Sequence, residues 1–326
     1  MSPPLLRVRD LTVEFGPPGR AVRVVDGIGF DLETGQCFGI VGESGSGKSM
    51  TSLSLLRLIP DPPGRIAAGR IELDGRDLLK LPVNAMPGIR GKDIAMVFQE
   101  PMNALNPVMT IGSQISEALV LHGTRDAAAR RRRLLEMLDL VGIPRPEERL
   151  GAYPHEFSGG MRQRVMIAMA LSCHPKILIA DEPTTALDVT IQAQVLDLLN
   201  RLRAQLGMAI ILVSHDLGVI ADMAGHVLVM YCGRIVESAS IEAIFTRPAH
   251  PYTEGLLRSI PSGNGGGRRL FQIPGTVPSP RDRGPGCAFA DRCPKRLPAC
   301  AITPPPLLPI AAGHSVACHA TGGAAT

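Results

Sequence analysis

The chain has 326 residues, of which 45% are hydrophobic, so it is long enough for one large or two modest domains with proper cores. A net charge of +4 is mild for this length, and an aromatic content of 3% without tryptophan argues against a surface that stacks nucleic-acid bases. No apolar run approaches the ~18 residues of a membrane-spanning helix, and the N-terminus lacks the apolar core of a secretion signal, so we expect a soluble, cytosolic chain.

Residues 5–35 alternate apolar and polar side chains, with turn signals between the runs. This period of two predicts short, largely antiparallel strands at the start of the chain. Phe15 is predicted to lie in the first loop, where its ring could stack on an adenine. Packing in the core is the other interpretation of a single phenylalanine at this position.

A glycine-rich stretch, residues 42–49, fits the pattern G-x-x-x-x-G-K-S/T and follows the apolar run Cys37–Val41, which is typical of a buried strand. A glycine turn between a strand and a helix lets successive backbone N–H groups point at a phosphate, and the helix start adds its positive end. Lys48 would reach the β- and γ-phosphates, and the Ser49 hydroxyl would bind Mg²⁺. The predicted nucleotide-binding residues are Gly42, Glu43, Ser44, Gly45, Ser46, Gly47, Lys48 and Ser49.

A second buried strand is predicted at Ile94–Phe98, and it leads directly into Gln99. A side-chain amide at the end of a strand beside a phosphate loop can bind Mg²⁺ or orient an attacking water molecule. Gln99 is therefore a candidate catalytic and metal-binding residue, although by itself it also fits an ordinary surface glutamine.

Residues 103–157 change to a helical period, with apolar positions at Ile111, Ile115 and Leu119. We predict an inserted helical subdomain here, which extends to about residue 160. The densest basic cluster of the chain, Arg130–Arg133, has acidic neighbours and is predicted to be a solvated helix face rather than a nucleic-acid patch.

Ser158 is well placed as a helix N-cap, because an apolar helix follows it as far as Leu171. Its side chain and the N–H groups of Gly159 and Gly160 would form an anion site at this helix start. The chain therefore carries two predicted phosphate-binding helix starts, one at Ser49 and one here.

A short apolar strand, Ile177–Ala180, leads into Asp181 and Glu182. Asp181 would hold Mg²⁺ through carboxylate oxygen, and Glu182 would accept a proton from the attacking water. The alternative is a pair of acidic residues that merely ends a strand. A further strand, Ile210–Val213, ends just before His215, which could hydrogen-bond the γ-phosphate from the carboxyl end of a parallel strand.

Together these residues resemble the ATP-binding subunits of ABC transporters over about residues 5–260. The matching motifs are a Walker A at Gly42–Ser49, a Q-loop at Gln99, a signature at Ser158–Met161, a Walker B at Ile177–Glu182, a D-loop around Asp188 and an H-loop at His215. The signature reads Phe-Ser-Gly-Gly-Met instead of the commoner Leu-Ser-Gly-Gly-Gln, and this difference leaves the N–H anion site intact.

The resemblance implies an α/β fold with a P-loop NTPase core, an N-terminal antiparallel β-subdomain, an inserted helical subdomain and a small cysteine-bearing C-terminal extension. It divides the chain into an ATPase domain at residues 1–260 and an extension at residues 261–326. It also implies that two such subunits sandwich two ATP molecules, each bound by the P-loop of one subunit and the signature of the other. Hydrolysis would then release the partners.

A finer resemblance is to the oligopeptide and dipeptide importer ATPases, including their nickel-import relatives. It rests on four segments, at Phe157–Leu171, Ala180–Val189, His250–Thr253 and Leu256–Pro261. It implies a related second ATPase subunit, two transmembrane permease subunits and a solute-binding protein, with this chain peripheral on the cytoplasmic face of the inner membrane. Import of nickel or another small solute stays open, whereas a soluble ABC ATPase acting on nucleic acid is disfavoured because the sequence has no long coiled coil and no second copy of the motifs.

From Pro261 onward the composition shifts to glycine and proline, which predicts a segment with little core. Four thiolates in such a segment suggest a metal centre that helps to order it. Four cysteine ligands suit a 4Fe–4S cluster or tetrahedral Zn²⁺, and free or redox-paired thiols are the third alternative. The cysteines are Cys287, Cys293, Cys300 and Cys318, with 5, 6 and 17 residues between them.

The importer ATPases resembled here have a matching extension, which holds a 4Fe–4S cluster in some members, so the resemblance favours that cofactor. The absence of closely spaced cysteine pairs weakens the zinc interpretation. His314 and His319 could each replace one ligand, but we predict that both are surface residues.

Overall fold

The computed structural model describes residues 3–17, 19–98, 104–185, 188–260 and 271–321. Its internal contacts divide the chain into two compact units. The first unit comprises residues 1–32, 37–79 and 213–326, and the second comprises residues 33–36 and 80–212. The predicted domain boundary at residue 261 lies outside the described residues and stays a prediction.

The described strands are β1 (Leu6–Phe15), β2 (Val22–Leu32), β3 (Cys37–Val41), β4 (Gly64–Leu73), β5 (Arg76–Asp77), β6 (Ile94–Val97), β7 (Ile177–Asp181), β8 (Ala209–Ser214), β9 (His226–Tyr231), β10 (Arg234–Ser240), β11 (Leu308–Ala311) and β12 (His314–Val316). The described α-helices are α1 (Lys48–Leu55), α2 (Ile111–Leu121), α3 (Ala127–Leu140), α4 (Pro146–Arg149), α5 (Gly159–Leu171), α6 (Val189–Leu206), α7 (Leu217–Ala221), α8 (Ile241–Thr246) and α9 (Pro251–Ser259).

The first unit begins with an antiparallel sheet of strand order β2-β1-β4-β5. The central strand β1 pairs on both sides, so that Val8 lies opposite Phe30 of β2 and Ile71 of β4. Val8 and Leu6 are fully buried, as the alternating pattern predicts for one face of a strand. The predicted antiparallel strands are therefore confirmed.

Phe15 is the last residue of β1, so the prediction that it lies in a loop is wrong. The strand extends this far because Phe15 pairs with Val22 on one side and with Gly64 on the other. A Cβ atom on Gly64 would lie 2.8 Å from two carbons of the Phe15 ring. Glycine at position 64 therefore makes room for this half-buried ring.

The remaining strands of the first unit follow the order β3-β9-β10-β12-β11. β3 pairs in parallel with β9, with Ile40 opposite Leu228, whereas the later neighbours pair antiparallel. All five residues of β3 are buried, which explains why its sequence is a continuous apolar run instead of an alternating one.

The C-terminal extension contributes β11 and β12 to these strands. Glu237 of β10 lies opposite Val316 of β12, and the Ala317 amide donates a 2.8 Å hydrogen bond to the Val236 carbonyl oxygen. The extension also buries Phe289, which is 2% exposed. Composition alone predicted little core here, because it does not show that the extension can pack on a surface supplied by the rest of the unit.

His314 is buried, so its prediction as a surface residue is wrong. Its side chain is 2% exposed, and its Nε2 atom lies 2.8 Å from the carboxylate of Glu237. Glu237 is fully buried and also accepts hydrogen bonds from the Ala249 and His250 amides. A buried carboxylate requires such partners, and one of them comes from the extension. The Nε2 atom of half-buried His319 lies 2.9 Å from the Thr303 carbonyl oxygen.

The second unit contains the parallel pair β6 and β7, with Met96 opposite Ile179. The helical period predicted for this part of the chain is confirmed, since the apolar positions Ile111, Ile115 and Leu119 of α2 are all buried. Arg131 and Arg132 of α3 are exposed, as expected of a solvated helix face.

Three of the sequence motifs lie where strands end. β3 leads into the glycine-rich loop, β7 ends at Asp181, and β8 ends at Ser214. Gln99 follows β6 and lies outside the described residues. Among the helices that the structure describes, none is both long enough and apolar enough to cross a bilayer.

Candidate functional site

The loop between β3 and α1 approaches its neighbours so closely that two positions require glycine. A Cβ atom on Gly42 would lie 2.3 Å from the Met230 carbonyl oxygen. Gly47 has a φ angle of 99°, and a Cβ atom there would lie 2.8 Å from the Val24 carbonyl oxygen. Gly42 is therefore required for space, and Gly47 for both space and backbone conformation.

The start of α1 is suited to an anion. The N-cap of α1 is Gly47, so no side chain caps the free N–H groups of this helix start. The first turn of α1 contains no acidic residue. The N–H groups of a helix start carry a partial positive charge of about half a unit. Ser44 and Gly45 at the loop tip are exposed, so a polyphosphate can approach the loop from solvent.

Lys48 places a buried cation inside the same loop. Its side chain is 5% exposed, and Nζ donates hydrogen bonds to the carbonyl oxygens of Gly42 at 2.7 Å and Glu43 at 3.1 Å. A phosphate oxygen would be a stronger acceptor for this ammonium group, because both partners would be charged. Ser49 is half-buried on the first turn of α1. Within the loop, the amide of buried Ser46 donates a hydrogen bond to the Glu43 carbonyl oxygen.

His215 follows β8 and is exposed. The turn around it is held by two local hydrogen bonds: Ser214 Oγ accepts from the Asp216 amide at 2.9 Å, and Asp216 accepts from the Gly218 amide at 2.7 Å. The turn therefore presents the His215 imidazole at the carboxyl end of a strand. The glycine-rich loop and His215 belong to the first unit.

Asp181 and Glu182 lie in the second unit at the end of β7. Asp181 is 4% exposed, whereas Glu182 is half-buried with a φ angle of 48°. A left-handed backbone costs a residue other than glycine about 1–2 kcal/mol, and such strain is concentrated at functional sites. Thr185 donates a 2.9 Å hydrogen bond from Oγ1 to Oε2 of Glu182, which fixes the direction of this carboxylate.

The second helix start predicted to bind an anion is also in the second unit. Ser158 caps α5 by accepting a 3.3 Å hydrogen bond from the Met161 amide, and the first turn has no acidic residue. Ser158 and Gly159 are exposed, and Gly160 is half-buried. A Cβ atom on Gly160 would lie 3.1 Å from Ile191 of α6, so glycine there permits a close approach of the two helices.

Asp188, the residue of the predicted D-loop, is exposed and caps α6. Its side chain accepts a 2.8 Å hydrogen bond from the Ile191 amide. Ser158, Gly159, Gly160 and Asp188 therefore lie at the starts of two neighbouring helices.

Two residues that touch the glycine-rich loop have no role in the sequence motifs. The hydroxyl oxygen of Tyr252 accepts a 2.8 Å hydrogen bond from the Glu43 amide. Arg292 of the extension donates to both carboxylate oxygens of Glu43, at 2.6 and 3.0 Å. Tyr252 lies in the segment His250–Thr253, which indicated the family but not this contact, and nothing in the sequence singled out Arg292.

The four cysteines of the extension influence one another electrostatically. The pKa of the Cys287 thiol is raised to about 11, mainly by burial and also by the neighbouring Cys300, Cys293 and Cys318. The Cys287 amide donates to the Cys300 carbonyl oxygen at 2.8 Å. Within the described ranges, however, no three His, Cys, Asp or Glu side chains form a group that could hold a metal ion. The arrangement therefore supplies suitable donor atoms without supporting the predicted 4Fe–4S cluster.

Two family models match the chain. One, described as ABC transporter, matches residues 25–185, and the other, described as oligopeptide/dipeptide transporter C-terminal region, matches residues 236–300. The oligopeptide transport ATP-binding protein AppD of Bacillus subtilis is 49% identical over 96% of this chain and 96% of its own length. The chain belongs to the oligopeptide/dipeptide ATP-binding proteins of the ABC transporter family. The resemblance drawn from the motifs is thereby confirmed.

Other members of this family give the same result. The dipeptide transport ATP-binding proteins DppD of Bacillus subtilis and of Escherichia coli are 51% and 47% identical, over 91% and 97% of this chain and 88% and 96% of their own lengths.

Solved structures of ABC ATPases confirm the predicted fold class. A dimeric, post-hydrolysis structure of the ATP-binding cassette MJ0796 bound to ADP and Pi has a TM-score of 0.64 and 26% identity, covering 72% of this chain and 98% of that one. The structure of cbiO1 from Clostridium perfringens, part of the ABC transporter complex cbiONQ, has a TM-score of 0.65 and 26% identity, covering 76% and 92%.

Proposed function

We propose that this chain hydrolyses ATP to drive the import of di- or oligopeptides across a membrane. The observation that carries the proposal is the loop of residues 42–49, which combines a glycine-built cradle, a helix start without acidic residues and a buried ammonium group. These features suit a nucleotide polyphosphate. The peptide class of the solute comes from the relatives named above, and nickel or another small solute is the alternative.

Each predicted site residue has a role in this proposal. Lys48 binds the β- and γ-phosphates, Glu182 takes the proton of the attacking water, and His215 hydrogen-bonds the γ-phosphate. Ser49 and Asp181 would hold Mg²⁺, which neutralises phosphate charge when bound. Gln99 completes the metal and water site in the prediction from sequence, and Phe15 is the candidate for stacking on adenine.

The second helix start motivates a dimer. Ser158 and Gly159 are exposed and have no acidic neighbour in the first turn of α5, which suits them to a phosphate brought by another subunit. We infer that two ATPase subunits, this chain and a copy or a related chain, enclose nucleotide between the P-loop of one and the signature of the other. The dimeric MJ0796 structure with ADP and Pi supports this arrangement.

The proposal further requires membrane partners. The relatives are named as transport or import ATP-binding proteins, so two permease subunits and a solute-binding protein would complete the importer. This chain would dock on the cytoplasmic side of those permeases as a peripheral subunit, and the helical part of the second unit is the docking surface that the resemblance implies.

Uptake of a labelled dipeptide tests the proposal in cells that carry the complete importer. Cells with the wild-type chain should accumulate the label, and cells with Glu182→Gln should not. As a control, the two proteins should be present at the membrane at equal levels. A strain that imports labelled nickel but not peptide would support the alternative solute. Equal uptake by cells with the wild-type chain and cells with Glu182→Gln would contradict an ATP-driven role of this chain.

The cysteines support a narrower proposal. Their mutual electrostatic influence and the donor chemistry of four thiols suit a metal centre, which we propose is a 4Fe–4S cluster that assembles with some rearrangement of these side chains. Protein purified without oxygen should contain iron and sulfide and show broad visible absorbance. Colourless anaerobic protein would reject the cluster, and stoichiometric zinc in it would favour the tetrahedral site instead.

A further inference from the structure

Arg292 connects the C-terminal extension to the glycine-rich loop. Arg292 closes a short 3₁₀ turn, Ala290–Arg292, and its side chain is 7% exposed. Both of its terminal nitrogens donate to the carboxylate of Glu43, the second residue of the glycine-rich loop. A two-pronged contact of this kind fixes orientation as well as charge, because the two N–H groups and the two oxygens are coplanar.

The remaining donors of Arg292 are also paired. Its Nε donates to the Pro274 carbonyl oxygen at 2.8 Å, and its terminal nitrogens reach the Ile273 carbonyl oxygen and the Tyr231 hydroxyl, both at 3.2 Å. The five N–H groups of the guanidinium therefore have acceptors from three parts of the first unit. Such an arrangement leaves Glu43 little freedom to move while the extension is in place.

A second contact holds the backbone of the same loop residue. The Tyr252 hydroxyl accepts from the Glu43 amide, and the Tyr252 ring lies 5.4 Å from the ring of Phe289 in the extension. Tyr231 packs against both rings, at 4.7 Å from Tyr252 and 5.2 Å from Phe289. The side chain of Glu43 is therefore held by a residue of the extension, and its backbone by a tyrosine that packs on the extension.

Glu43 in turn positions the phosphate-binding cation. Its carbonyl oxygen accepts from the ammonium group of Lys48 at 3.1 Å and from the Ser46 amide at 3.2 Å. A rotation of the Glu43 peptide would therefore displace an acceptor of Lys48 and change the turn that points the loop amides at a phosphate.

We propose that Arg292 is a positioning residue of the nucleotide site, through which the C-terminal extension holds the P-loop in the conformation that binds ATP. The inference rests on the proposed function, since it assigns a role in that same site. Arg292 itself touches no nucleotide in this proposal: it acts through Glu43. Loss of the contact should weaken ATP binding more than it slows the chemical step, because the catalytic base Glu182 belongs to a different strand end.

Four variants of the full-length chain test the proposal: Glu43→Gln, Arg292→Gln, the double variant, and Lys295→Gln as the matched control. Lys295 also belongs to the extension and pairs with Glu254 of α9, but that pair is exposed and should contribute little. Binding of a fluorescent ATP analogue, KM and kcat for hydrolysis, and hydrogen exchange of residues 42–46 would be measured for each.

Each single variant should weaken binding by about tenfold, since a bond between charged groups contributes on this order, with kcat changed much less. The double variant should bind ATP about as strongly as either single variant, because Glu43 and Arg292 act as one unit. Amides 42–46 should exchange faster in all three, and Lys295→Gln should match the wild type. Glu43→Gln keeps the test valid if Arg292→Gln does not fold, because it leaves every residue of the extension intact.

Wild-type affinity in both single variants would overturn the proposal, as would additive losses in the double variant. A loss of kcat without a change in binding or exchange would also overturn it. A wild-type chain that does not bind ATP would instead refute the proposed function, and this inference with it.

Discussion

The hydroxyl group of Thr185 donates a hydrogen bond to the carboxylate of Glu182, three residues earlier in the chain. The Thr185 amide also donates to the Glu182 carbonyl oxygen, at 3.2 Å, and Glu182 has a left-handed backbone. Three local features therefore fix one carboxylate just beyond β7. The side chain is held in one direction before any substrate arrives, which suits its proposed role as a general base.

Substitution Glu182→Gln should stop turnover without preventing ATP binding. Glutamine keeps an oxygen that can accept from Thr185 but cannot take a proton, and loss of a general base typically costs about 10²–10⁴-fold in rate. ATP hydrolysis should therefore fall by this factor in a phosphate-release assay. Sedimentation with ATP should show dimers accumulating in the variant, and near-normal hydrolysis would mean that another group is the base.

Substitution Lys48→Ala should instead weaken nucleotide binding itself. The ammonium group is buried within the loop, and residues 42–49 contain no other basic side chain. We expect the dissociation constant for ATP to rise at least about tenfold, because a charged hydrogen bond to phosphate is lost. The exposed Lys80 is a suitable control, since Lys80→Ala removes the same charge elsewhere in the chain. Equal affinities of the two variants would contradict the role of Lys48.

Two glycines of the same loop allow the effect of backbone strain on stability to be measured separately from the effect of a steric clash. Gly45 and Gly47 both have positive φ, but a Cβ atom on Gly45 would meet nothing within 4 Å, whereas one on Gly47 would lie 2.8 Å from Val24. Gly45→Ala should lower the free energy of unfolding by about 1–2 kcal/mol for the backbone alone. Gly47→Ala should lower it by about 1–3 kcal/mol more. Denaturant titration measures both, and equal losses would show that the contact with Val24 is relieved without cost.

The buried His250 predicts a loss of stability in acid. Burial lowers the pKa of this histidine from its ordinary 6.5 to about 3, so the folded chain keeps it neutral while the unfolded chain can protonate it. Its contribution to stability is complete above pH 6.5 and declines as the pH falls toward 3, by up to about 1.4 kcal/mol per pH unit.

His250→Asn should make the free energy of unfolding less dependent on pH between about 7 and 5, because the protonatable ring is gone. Asparagine preserves the helix N-cap, since it can accept the Tyr252 amide as His250 does. His155→Asn, at an exposed histidine, provides the control. Parallel pH profiles for His250→Asn and the wild type would show that burial of His250 does not govern acid stability.

The sequence was sufficient for features that depend on neighbouring residues. A period of two identified the strands of the antiparallel sheet, and a helical period identified α2, because each pattern reports which side of an element is buried. The loop of residues 42–49 was recognisable because its pattern of glycine, lysine and serine lies within one short stretch of sequence. Ser158 was recognisable as an N-cap for the same reason.

Features that join distant parts of the chain were not predictable. Glu237 lies in β10, and its partners come from two distant segments: Ala249 and His250 precede α9, and His314 lies in β12. Arg292 lies 249 positions from Glu43, and its sequence context does not distinguish it from the other arginines of the extension. Such contacts depend on the tertiary arrangement, which local periodicity does not contain.

The addition of β12 to β10 affects how the extension can be studied. An edge strand exposes a row of unpaired amides and carbonyls that invites aggregation. Here β11 forms the outer rim of the first unit's strands and carries Pro309, whose nitrogen cannot donate to another chain. Truncation before residue 271 would expose β10 and its aromatic neighbours to solvent. The truncated chain would therefore be prone to aggregation, whatever its effect on catalysis. Single substitutions, and not deletions, are therefore the informative reagents for this part of the protein.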